Sequence, residues 1–225
     1  MDGDSGTKET LPISVTELVE MANYCNDAYA EHPDHYQVKD DELSYTVRQD
    51  LGATILSFRG TDNGKNVLTD LDIRPFEDNK LDLILHRGFR DSAEVLYEDI
   101  KEKYKLSKIV LLTGHSLGGA IAQIIGLWLE EDGHHVQIYT FGSPKISTTN
   151  IGTQPPHYRV VFNNDPVPFM PPFPYVHSGT RIDAKSLHWD ESDDYGKFTE
   201  IDGRDHSMKE YLNILREHEI TKTRP

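Results

Sequence analysis

Cysteine is almost missing from this chain of 225 residues: Cys25 stands alone, so no disulfide can close within it. The fold must therefore hold by packing, and it does not depend on an oxidising compartment. Positive charge is also scarce. Lys and Arg number 23 against 38 Asp and Glu, a net −15 at pH 7. Such a balance repels phosphate backbones and anionic bilayers, which excludes nucleic acid and charged membrane surfaces as electrostatic partners. Long apolar runs are missing too; none approaches the roughly 18 residues of a spanning helix. Residues 1–11 (MDGDSGTKETL) are polar and acidic without an apolar stretch, from which a cytoplasmic location is expected. His134-His135 and His32-x-x-His35 lack a third ligand at metal spacing, so no zinc site is expected. No linker, repeat or low-complexity tract interrupts residues 1–225, which suit one domain.

What is present alternates between strand and helix patterns. Ser14-Val15-Thr16-Glu17 reads as a capping box, and Leu18, Met21, Ala22, Cys25, Ala28 and Tyr29 follow at helical spacing until His32-Pro33. Strand-like runs cover 43–48 and 53–58, the second broken by Arg59-Gly60-Thr61-Asp62-Asn63-Gly64. A helix is predicted over 91–105. The apolar run 108–113 turns sharply at Gly114-His115-Ser116, and 117–129 then reads as a helix apolar almost all round. A strand apolar on both faces followed by a buried helix is half of a βαβ unit on a covered parallel sheet. Further strands are predicted at 136–141 and 158–162. A closing helix over 207–219 carries Met208, Tyr211, Leu212 and Leu215 on one stripe. The pattern is α/β, with a mostly parallel central sheet and helices on both faces.

Gly114-His115-Ser116-Leu117-Gly118 fits the nucleophile elbow G-x-S-x-G, in which a strained strand-to-helix turn exposes a serine hydroxyl. The pentapeptide alone is weak, but a buried strand before it and a buried helix after it are the context it requires. A serine nucleophile needs a base, and the base needs an orienting acid. Asp165, in Asn163-Asn164-Asp165-Pro166, stands just past a strand end, where a loop carboxylate reaches such a site; Asp183 and Asp190 are fallback acids. The histidines beyond it are His177, His188, His206 and His218. His206 follows the polar loop Asp202-Gly203-Arg204-Asp205 at the start of the last helix and is preferred, with His177 next; His218 reads as a solvated helix face. The stretch 166–176 (PVPFMPPFPYV) either walls an acyl pocket or packs as a rigid loop.

Six motifs in order make the chain resemble the class 3, fungal-type lipases. They are Phe58-Arg59-Gly60-Thr61, Asn66-Val67-Leu68-Thr69-Asp70-Leu71, His86-Arg87-Gly88-Phe89, the elbow within 113–120 (TGHSLGGA), Phe141-Gly142-Ser143-Pro144-Lys145 with Asn164-Asp165-Pro166-Val167-Pro168, and Asp205-His206. The resemblance implies an α/β-hydrolase fold. It also implies a Ser116, His206 and Asp165 triad, and an oxyanion hole from the backbone N–H groups of Leu117 and Thr61. The implied activity is cofactor-free hydrolysis of carboxylic esters, acylglycerols first. A soluble short-chain esterase, a phospholipase A1 or a feruloyl-type esterase would use the same triad. A non-catalytic binding module would have no reason to keep all three residues. Residues 63–72 look like the family's lid, with Val67 where a tryptophan is usual. Only Val67, Leu68, Leu71 and Ile73 are apolar there, among Lys65, Asp70 and Asp72, so weak interfacial activation is expected. The single cysteine and the short interval between Asp165 and His206 also depart from the fungal pattern.

Overall fold

Apolar strand runs and an all-apolar helix can be buried together only in layers, and that is how the chain is arranged. The structure, a computed structural model, describes residues 11–30, 35–38, 43–60, 72–162, 164–191 and 206–223. In chain order the elements are α1 (Val15–Asp27), β1 (His35–Val38), β2 (Leu43–Asp50), β3 (Ala53–Phe58), β4 (Pro75–Asp78), β5 (Leu83–His86) and α2 (Arg87–Lys103). Then follow β6 (Ile109–His115), α3 (Leu117–Glu131), β7 (His135–Phe141), β8 (His157–Val161), β9 (Thr180–Asp183), β10 (Trp189–Asp190) and α4 (Met208–Thr223). A 3₁₀ turn over Val167–Phe169 separates β8 from β9.

Eight strands form one sheet in the order β1-β2-β3-β6-β7-β8-β9-β10, and β4 pairs with β5 apart from it. The five central strands β3, β6, β7, β8 and β9 are parallel, while antiparallel pairs close both edges. Side chains alternate between the two faces, as the strand period of 2 requires. Leu56, Val110, Leu112, Val136 and Ile138 join the cluster with α2 and α3. Ile55, Tyr139, Phe141, Val160 and Ile182 join the other, with α1 and α4. The expected α/β-hydrolase architecture, helices on both faces included, is the one observed.

Helix α3 is buried on every side from Leu117 to Leu129, which its composition demands: an exposed face of Ile121, Ile124 and Leu127 would cost roughly 1.5–3 kcal/mol per side chain. The N-terminus of α1 is capped as expected, with the Ser14 hydroxyl accepting from Glu17 N–H at 3.1 Å. The Glu17 carboxylate, however, accepts from the Tyr139 hydroxyl at 2.5 Å, and α1 ends at Asp27, short of His32-Pro33. Helix α2 begins four residues earlier than its apolar pattern suggests, because the His86 ring accepts from Phe89 N–H and caps it. The closing helix runs on to Thr223.

Candidate active site

Ser116 sits alone between β6 and α3, with φ 57° and ψ −128°, a conformation that costs a non-glycine residue of order 1–3 kcal/mol. Two glycines make this turn possible. A Cβ on Gly114 would lie 2.2 Å from the Gly118 carbonyl oxygen, and one on Gly118 would lie 2.2 Å from the Phe58 carbonyl oxygen. The end of β3 therefore butts directly against the elbow. The next residue but one, Gly60, comes so close that a Cβ there would meet Ser116 Cβ at 3.2 Å. Ser116 N–H donates to the Phe141 carbonyl at 3.1 Å, anchoring the turn to β7. Leu117 opens α3, so its N–H lacks an intrahelical acceptor and stands at the positive end of the helix dipole.

The candidate acid comes from the strand beyond β7, two places along the sheet from β6. Asp165 follows β8, is wholly buried, and takes three hydrogen bonds. Oδ1 accepts from Val167 N–H at 2.9 Å, while Oδ2 accepts from the Tyr211 hydroxyl and from His206 Nδ1, each at 2.8 Å. A buried carboxylate is tolerable only with such partners. His206 lies two residues before α4, its side chain 5% exposed. With Nδ1 committed to Asp165, Nε2 is the ring atom that remains for a nucleophile. Nε2 and Ser116 Oγ are both buried, and neither has a hydrogen-bond partner among the described residues. Catalytic contacts of this kind commonly tighten only once substrate is bound.

The other candidates are placed elsewhere. His177 is buried in the loop before β9, its Nε2 bonded to the Pro168 carbonyl at 2.6 Å, and burial pushes its pKa well below the usual histidine range. Asp183 accepts from Lys185 and Ser186 N–H and from the Ser186 hydroxyl, which makes it a turn residue. Asp190 pairs with Arg181 on the sheet edge. His188 is exposed. His218, expected to face solvent, instead bonds the Ala184 carbonyl at 3.1 Å through Nε2. Thr61 and most of the lid segment 63–72 lie outside the described residues. The Pro-rich stretch after Asp165 is divided: Val167 and Tyr175 are buried, whereas Phe173 is 93% exposed.

Three side chains that touch this site were not singled out from the sequence. Tyr211 was legible only as part of a core stripe; a tyrosine on a buried stripe still needs a partner for its hydroxyl, and here the partner is Asp165. His115 stacks on His206 with ring centroids 4.5 Å apart. Tyr29, just past α1, bonds His115 Nδ1 at 2.8 Å. No local pattern joins residues 29, 115 and 206.

Comparison with known proteins places the chain in a family. The family model described as "Lipase (class 3)" matches residues 55–175. The chain is 34% identical over 141 residues to a secreted mono- and diacylglycerol lipase of Fusarium solani, covering 55% of this chain and 41% of that protein. It is 31% identical over 170 residues to a lipase of Rhizopus niveus, covering 65% of this chain and 42% of that one. The chain thus spans about two fifths of the length of these relatives. The crystal structure of a mono- and diacylglycerol lipase from Aspergillus oryzae superposes with a TM-score of 0.65 at 18% identity, over 89% of this chain and 94% of that one. The expectation of a cytoplasmic location is overturned by this kinship, since the Fusarium relative is a secreted protein by name. A polar stretch at residues 1–11 carries no weight against it when so much of the relatives' length is unmatched. With the family model covering more than half of its length, the chain belongs to the class 3 lipases.

Proposed function

We propose that this chain is a serine carboxylic-ester hydrolase acting on acylglycerols, with Ser116 as nucleophile, His206 as base and Asp165 as orienting acid. The observation that carries the reading is the 2.8 Å contact of His206 Nδ1 with Asp165, placed beside a serine on a strained elbow. The kinship with mono- and diacylglycerol lipases supports the substrate class. Ser116 Oγ attacks the ester carbonyl carbon as its proton passes to His206 Nε2, and Asp165 stabilises the imidazolium through Nδ1–H. The oxyanion is received by Leu117 N–H at the head of α3, and by Thr61 N–H as the family resemblance implies. One such donor typically contributes 10²–10³ in turnover. His206 then returns the proton to the departing alcohol, and water attacks the acyl-enzyme by the same route in reverse. No step calls on a metal or cofactor.

Ser116 is buried. The segment 63–72 offers few apolar side chains to a lipid surface, which favours good turnover of soluble short and medium esters. No helix among the described residues is long and apolar enough to cross a membrane. Hydrolysis rates over p-nitrophenyl esters from acetate to palmitate, with tributyrin followed across its solubility limit, test the reading. Turnover that vanishes in Ser116→Ala and rises smoothly with tributyrin is the expected result. Equal rates in wild type and Ser116→Ala would overturn the assignment of the nucleophile, and a sharp jump at the solubility limit would overturn the weak interfacial activation.

A further inference from the structure

One buried titratable group at the site has no part in the proton transfers described. His115 immediately precedes the nucleophile, is 4% exposed, and lies flat against the base: its ring and that of His206 are 4.5 Å apart between centroids, inclined by 29°. Its own plane is set from the opposite side of the site. The Tyr29 hydroxyl bonds His115 Nδ1 at 2.8 Å and accepts from Gly60 N–H at 3.2 Å, and the Tyr29 and His115 rings meet edge to face at 6.0 Å. The Tyr211 ring, whose hydroxyl bonds Asp165, closes the group at 6.1 Å from His115. The stack thus links the end of the oxyanion strand, the residue before the nucleophile, and the base.

We propose that His115 is a positioning residue for His206, holding the base in plane by ring stacking and offering a neutral π-face to the imidazolium that forms during turnover, with Tyr29 fixing its orientation. The inference rests on the assignment of Ser116 and His206 given above. Two features keep the stacked ring neutral. His115 is buried, and a charged ring there would lose its hydration with no hydrogen-bond partner at Nε2 among the described residues to offset the loss. Burial, and then the neighbouring His206, hold its pKa well below the ordinary range. Among the described residues, the titratable groups that face it are Tyr29, His206 and Tyr211, with Asp165 behind His206. A cation over the face of a neutral aromatic ring is favoured, more so where water is excluded.

The test compares His115→Phe, which keeps a flat ring, with His115→Leu, which fills similar space without one, on the full chain hydrolysing p-nitrophenyl butyrate. His115→Leu is expected to lose at least about tenfold in kcat with KM unchanged, since small errors of alignment are costly in this chemistry. The acid limb of its pH profile should move down by about half a unit or more as the imidazolium loses its π-face. His115→Phe should stay within about threefold of wild type with the limb in place. Tyr29→Phe gives a second reading should His115→Leu fail to fold, and it should lower kcat at constant KM. Phe and Leu variants that behave alike, or a Tyr29→Phe enzyme with wild-type kcat in the absence of a folded Leu variant, would overturn the proposal. A wild-type chain that hydrolyses no ester would overturn the underlying assignment instead.

Discussion

The Tyr211 hydroxyl and Asp165 Oδ2 lie 2.8 Å apart, so the closing helix α4 grips the same carboxylate oxygen that orients His206. The same hydroxyl also accepts from Phe162 N–H at 3.2 Å, at the end of β8. Tyr211→Phe therefore removes one donor from a buried carboxylate and one acceptor from a buried amide. By the worth of a hydrogen bond to a charged group, about 1.5–3 kcal/mol, stability should fall by that order in urea denaturation. A base held by a looser acid should also lose about tenfold in kcat, with KM little changed.

The strain at Ser116 makes a second prediction. Glycine adopts φ 57° freely, so Ser116→Gly relieves roughly 1–3 kcal/mol of backbone strain. It adds about 0.5–1 kcal/mol of unfolded-state entropy in return. The net expectation is an inactive protein with a melting temperature above wild type. Ser116→Ala keeps the Cβ and should be inactive without that rise. Calorimetry of the two variants side by side checks the sign.

Gly118 is the point at which β3 and the elbow touch. A Cβ there would fall 2.2 Å from the Phe58 carbonyl oxygen, which is backbone and cannot swing aside. Gly118→Ala should cost about 1–3 kcal/mol by overpacking. It should cost more in activity, about a hundredfold, because the displaced strand leads into Gly60 and the oxyanion segment. Near-wild-type kcat in Gly118→Ala would mean that the contact between β3 and the elbow does not matter to turnover.

Much of this was legible in the sequence, and the reasons are local. The elbow could be read because a run apolar on both faces, a tight turn and a helix apolar all round occupy consecutive residues from 108 to 129. Asp165 and His206 could be read from chain order and from their places after a strand and before a helix. The stack of Tyr29, His115 and His206 could not, since residues 86 and 91 positions apart meet only once α1, β6 and α4 are assembled. The start of α2 is less legible for a smaller reason: its cap is a histidine, a residue type not preferred there, and a glycine, Gly88, stands in its first turn.

That cap gives the fourth prediction. The His86 ring accepts from Phe89 N–H and stacks on Phe89 at 3.8 Å, so it must stay neutral; burial lowers its pKa to about 4. An unfolded histidine titrates near 6.5, so between about pH 6.5 and 4 the unfolded chain binds the extra proton. Stability should therefore rise with pH across that window and fall on acidification through it. His115, His157 and His177 are shifted the same way by burial and should steepen the fall. His86→Asn, which keeps a capping side chain without a titratable ring, should flatten the loss of urea midpoint between pH 6.5 and 4. An unchanged slope would place the acid sensitivity elsewhere.

The central claim is that Ser116 is an activated nucleophile, and a covalent probe addresses it most directly. The protein would be treated with a p-nitrophenyl alkylphosphonate, whose phosphorus takes the serine oxygen and releases p-nitrophenolate. The product would then be mapped by mass spectrometry of its peptides. The account predicts one phosphonyl group per chain, on the peptide containing Gly114 to Gly118 at Ser116, with ester hydrolysis lost in step and no adduct in His206→Ala. An adduct on another residue, or full hydrolysis retained after Ser116 is modified, would contradict it.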